Sequence, residues 1–72
     1  MNGYEQPPML PRLMSEWDIE GEGMGQVREV RHVKATDEWR ISVVIFHGGP
    51  RRVMEFSLDW WNKNTYCRWV ES

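Results

Sequence analysis

The chain lacks nearly every external brace that a small domain can use. Cys67 is its sole cysteine, so no disulfide closes within one chain. One thiol and two imidazoles, His32 and His47, without paired spacing, predict neither a metal site nor a cofactor. Long hydrophobic runs are missing too. The longest is Val43, Val44, Ile45 and Phe46, far short of the ~20 residues that cross a bilayer. Residues 1–25 show no basic start leading into an apolar stretch, so no secretory signal is expected and a soluble cytoplasmic protein is. Charge of one sign is also scarce. A formal net charge of −2 is unlike a non-specific nucleic-acid binder, which is basic overall.

What the sequence has in quantity is aromatic mass: five Trp, two Tyr and two Phe in 72 residues. A domain of this size buries only about 60% of the surface its unfolded chain exposes. Rings that each bury roughly 150–250 Å² are therefore the means by which so short a chain holds a core. The charge is unevenly placed. Residues 1–25 carry Glu5, Glu16, Asp18, Glu20 and Glu22 against Arg12 alone, whereas residues 26–72 carry eight bases against six acids. An acidic arm, 1–25, followed by a mildly basic β domain, 26–72, is the expected organisation.

Local pattern supports that division. Pro7, Pro8 and Pro11, with Gly3, Gly21, Gly23 and Gly25, favour an extended arm. One short helix is expected over residues 11–17, with Leu10, Leu13, Met14 and Trp17 on one face. Residues 39–46 alternate, with Trp39, Ile41, Val43 and Ile45 on one side and Arg40, Ser42, Val44 and Phe46 on the other, which predicts a strand covered on both faces. Gly48, Gly49 and Pro50 predict a turn, and residues 52–58 alternate again, so a hairpin is expected. Valines 27, 30 and 33 recur every third position, which predicts a strand over 26–34 interrupted by a bulge. Residues 59–64 connect to a last strand over 65–70. The fold expected is mainly β: a four-stranded antiparallel meander or partly closed barrel.

No catalytic constellation stands out, and no enzyme is expected. Cys67 falls mid-strand beside Tyr66 and Arg68, where a small thiol is ordinary core filler. The run from Gly21 to Gly25 lacks the preceding strand and following Lys-Ser/Thr of a phosphate loop. Binding is the better-supported class. Trp60 and Trp61 are adjacent, so both reach the core only if both faces of the sheet are covered; otherwise one ring is free for an interface. Arg51 and Arg52 follow the Gly-Gly-Pro turn and are read as a cationic hairpin tip. Pro8-Met9-Leu10-Pro11-Arg12 resembles a polyproline ligand, and Tyr4, Met9, Leu10 and Arg12 complete the expected protein-binding surface. The alternative is a small β-barrel binder of single-stranded DNA or RNA using Arg28, Arg31, Lys34, Arg40 and Arg68 beside Trp39 and Trp69; opposed to it is a solvated face whose arginines pair with Glu29, Glu38 and Glu55. Self-association through an open sheet edge is a third reading.

Trp60 and Trp61, the lone Cys67 and the acidic 1–25 arm resemble, in general style across the chain, the small regulators encoded by lytic bacteriophages, some of which bind host RNA polymerase. The resemblance implies a protein-binding regulator or inhibitor of transcription and assigns no individual residue.

Overall fold

In the computed structural model, which describes residues 10–63 and 67–70, five antiparallel strands form one sheet. They are β1 (Glu16–Ile19), β2 (Gly23–Val33), β3 (Glu38–His47), β4 (Arg52–Ser57) and β5 (Cys67–Trp69), with a one-turn helix α1 (Leu58–Trp61) between β4 and β5. The sheet order is β4-β3-β2-β1-β5. The first four strands follow one another as a meander, and β5 crosses over to pair with β1. Both β4 and β5 are edges, so the sheet is not closed into a barrel.

The expected antiparallel sheet with one short helix is therefore present, with two differences. A fifth strand, β1, lies inside the stretch read as arm. Residues 11–17 do not form a helix, because Trp17 and Ile19 alternate with Glu16 and Asp18, a period of two that pairs with 23–26. Ser15 fixes the turn before it: its hydroxyl donates to the Arg12 carbonyl at 2.5 Å and accepts from Trp17 Nε1 at 2.8 Å. The helix forms instead at 58–61. The Ser57 hydroxyl accepts from the Trp60 backbone N–H at 3.2 Å, and the Asn62 amide side chain donates to the Leu58 carbonyl at 3.1 Å, capping both ends of a single turn.

The bulge expected from the valine spacing is found. Pairing runs Val27 to Val43, then Glu29 to Ser42, leaving Arg28 as the extra residue. That insertion keeps Val27 and Val30 on the same side as Val43 and Ile41. The core consists of Ile19, Val27, Ile41, Val43, Ile45, Phe56, Leu58 and Trp61, all from one face of the sheet and from α1 laid across it. Gly25 sits among them, buried in β2. A Cβ there would run into Val43 Cγ1 and approach Ile45 Cδ1 at 3.0 Å, so this glycine supplies space, not flexibility.

Two turns meet at one end of the sheet. Gly23, at φ +114°, brings its Cα so close to the His47 carbonyl that a Cβ would collide with it. Arg52 holds this contact. Its guanidinium donates to the Glu22 carboxylate at 2.9 Å and the Glu22 carbonyl at 3.0 Å, and to the Pro50 carbonyl at 3.0 Å. Arg52 therefore clamps the β1–β2 turn to the β3–β4 turn and is not a free cation at a hairpin tip.

Candidate functional site

Because β5 returns to β1, Trp69 comes to lie opposite Trp17, and Cys67 opposite Ile19. Trp17 meets Trp61 edge to face, with ring centroids 5.0 Å apart. Trp61 in turn lies 5.8 Å from Phe56, on which Trp60 stacks at 4.6 Å and 15°. These rings carry the apolar layer from the core to the β5 edge, where it opens. A hollow of about 370 Å³ there is walled by Leu10, Pro11, Trp17, Trp61, Cys67 and Trp69. A second hollow, about 600 Å³, lies against Leu13, Met14, Trp69 and Val70. Trp69 borders both and is 59% exposed.

Met14 is turned outward by its backbone. It sits at φ 70°, a left-handed conformation that costs an ordinary residue roughly 1–2 kcal/mol. Hydrogen bonds from Met14 N to the Val27 carbonyl at 2.7 Å and from Val27 N to the Ser15 carbonyl at 2.9 Å hold it there. Leu13, Met14 and Trp69 are each more than half exposed, and together they line the larger hollow. Exposed apolar side chains grouped in this way mark contact surfaces.

Within the hollow, the Cys67 thiol is pushed up to about 12 by desolvation, from an ordinary value near 9.0. It stays protonated and unreactive at neutral pH. The Trp61 Nε1 donor is buried and has no hydrogen-bond partner among the described residues, a cost of about 1–3 kcal/mol. No group of three or more metal-ligating side chains occurs among the described residues, nor any helix long and apolar enough to cross a membrane.

The residues expected from sequence divide sharply. Leu10 and Arg12 line the hollow. Trp61 also reaches its wall, but as a core side chain only 3% exposed, not as a surface ring. Trp60 is half-buried on Phe56, and Arg52 is the clamp described above. Arg51 is exposed and lies away from the hollow, in a shallow depression with Val44 and Phe46. Tyr4 and Met9 lie outside the described residues, as does Pro8 of the polyproline-like segment. The free ring that the tryptophan pair suggested is therefore Trp69. It was missed because its exposure depends on β5 being an edge, which the local pattern of residues 65–70 does not reveal.

The basic face is largely neutralised. Arg31 and Arg40 are directly opposed across β2 and β3, a like-charge pair that is unfavourable alone. Glu55 of β4 bridges them, accepting from Arg31 at 2.9 Å and Arg40 at 3.4 Å, while Glu29 and Glu38 flank them at 3.9 and 3.8 Å. The Arg31 hydrogen bond, with coulombic attraction from Arg31 and Arg40, holds the Glu55 carboxyl below its usual range. Arg28, Lys34 and Arg68 are exposed, Arg68 opposite Asp18 of β1. No family model matches this chain, and no match was found among curated proteins or solved structures.

Proposed function

We propose that this domain is a non-enzymatic regulatory module that binds a larger protein through the apolar surface around Trp69. The observation that carries this reading is the Trp69 indole, 59% exposed on a three-residue edge strand between two hollows. Tryptophan is among the residues that dominate binding energy at protein interfaces. An edge strand also offers unpaired backbone groups to an extended partner segment, whose side chain can enter the adjoining hollow. The resemblance to small phage regulators favours a host RNA polymerase or its transcription complex as that partner, acting in the cytoplasm.

The test is binding of wild type, Trp69→Ala and a Leu13→Ser/Met14→Ser double variant to purified bacterial RNA polymerase, beside a lysate capture with and without nuclease. Nuclease-resistant capture that Trp69→Ala weakens at least about tenfold, the loss of one hot-spot residue, is expected. Capture unaffected by either variant removes this surface. Capture of other proteins alone, with polymerase unbound, removes the polymerase assignment and keeps the surface.

Single-stranded nucleic acid is the second reading, favoured by the exposed Arg28, Lys34 and Arg68 and by the Trp69 ring beside Arg68. With Arg31 and Arg40 already paired, three cations give a log–log salt slope of only about −2. Absence of any shift with oligonucleotides at low salt rules it out.

A further inference from the structure

Strand β4 forms the opposite edge of the sheet, far in topology from the Trp69 surface. Its outward residues are Val53 and Glu55, and Arg51 immediately precedes the strand. Val53 is 72% exposed, and on the same face Phe46 of β3 is 43% exposed, with Val44 paired directly to Val53. Proteins usually protect such an edge with charges of one sign, which repel a second copy. Here the signs oppose each other about Val53.

We infer that β4 pairs antiparallel with β4 of a second copy of this chain, in a register centred on Val53. A two-fold axis relating two antiparallel edge strands stands perpendicular to the sheet, so each face continues across the junction and outward residues meet outward residues. The registers centred on Arg52, Val53, Met54 and Glu55 oppose different side chains. Centring on Glu55 opposes two carboxylates, centring on Arg52 opposes two guanidiniums, and centring on Met54 sets Val53 against Glu55. Centring on Val53 joins the two valines and places Arg51 of each copy opposite Glu55 of the other.

The charge balance of the face agrees with that register. Glu29, Glu38 and Glu55 surround Arg31 and Arg40, three carboxylates against two guanidiniums, which leaves that cluster one negative charge in excess. Arg51 is exposed with no ion pair among the described residues, and in the dimer it supplies the missing cation. The paired stretch, residues 51–55, spans roughly 17 Å, and buries less than a standard interface, so the dimer is weak and concentration-dependent.

Sedimentation velocity from about 10 µM to about 1 mM tests this, a range that brackets weak association. A reversible monomer–dimer equilibrium is expected. Arg51→Glu turns two attractions into two repulsions and should weaken it roughly tenfold. Val53→Lys should do the same through an independent contact. Trp69→Ala should leave the dimer unchanged, which separates this edge from the surface proposed above. Circular dichroism identical to wild type shows that Arg51→Glu, an exposed change, still folds. A monomer throughout the range, or a dimer indifferent to both Arg51→Glu and Val53→Lys, overturns the inference.

Discussion

Gly25→Ala tests whether the core is arranged as described. The new methyl enters a space bounded by three fully buried side chains, colliding with Val43 Cγ1 and approaching Ile45 Cδ1 at 3.0 Å and Ile19 Cδ1 at 3.3 Å. Overpacking of this kind costs typically 1–3 kcal/mol. Alanine recovers about 0.5–1 kcal/mol through its smaller backbone entropy, which leaves a net loss of roughly 1–2 kcal/mol. At about 0.05–0.15 kcal/mol per residue, a domain of this size holds only ~4–11 kcal/mol in all, so the loss is easily read. Urea denaturation followed by tryptophan fluorescence, with a slope near 1 kcal/mol/M, should show the midpoint fall by about 1–2 M. Adding Val43→Ala removes the colliding methyl. The pair should then be less destabilised than the sum of the single changes by about 1 kcal/mol. A midpoint unchanged or raised by Gly25→Ala, or strict additivity with Val43→Ala, would refute this packing of β2 against β3.

Further expectations concern the site and the charged face. Met14→Gly relieves the left-handed strain and should raise stability by up to about 1 kcal/mol in thermal melts, while weakening capture of the partner, so stability and binding move in opposite directions. Glu55 has a folded pKa below its unfolded value near 4.5. Its contribution is therefore present above that value and lost as pH falls through the folded one. Wild type should lose more melting temperature than Glu55→Gln on acidification from pH 5 to about pH 3. Cys67, with its pKa raised to about 12, should resist alkylation at pH 8 in the folded protein and react on addition of urea; rapid labelling of the native state would contradict its desolvation.

The local parts of this fold were legible. The β3–β4 hairpin follows from alternation on each side of a Gly-Gly-Pro turn, and the β2 bulge from valines three apart, because both signals lie within a few residues of what they specify. Strand β1 was hidden by its own outer face. Glu16 and Asp18, with Glu20 and Glu22 beyond, read as an acidic arm, although Trp17 and Ile19 between them carry the alternation of a strand. Ser57 ahead of Leu58 and Asp59 was a cap signal for α1, overlooked because residues 52–58 alternate so cleanly. The Arg52–Glu22 clamp joins residues 30 positions apart, and the return of β5 to β1 is equally non-local; neither leaves a mark in nearby sequence. Trp69 therefore looked like one ring among five, while the adjacent pair Trp60 and Trp61 drew the functional reading.

Cross-saturation from unlabelled bacterial RNA polymerase to the indole N–H signals of the ²H,¹⁵N-labelled protein addresses the binding claim most directly. The Trp69 signal should lose the most intensity, with Trp17 behind it, while Trp39 at the far end of the β2–β3 hairpin loses least. No transfer to any indole, or transfer strongest at Trp39, would place the contact elsewhere and contradict that claim.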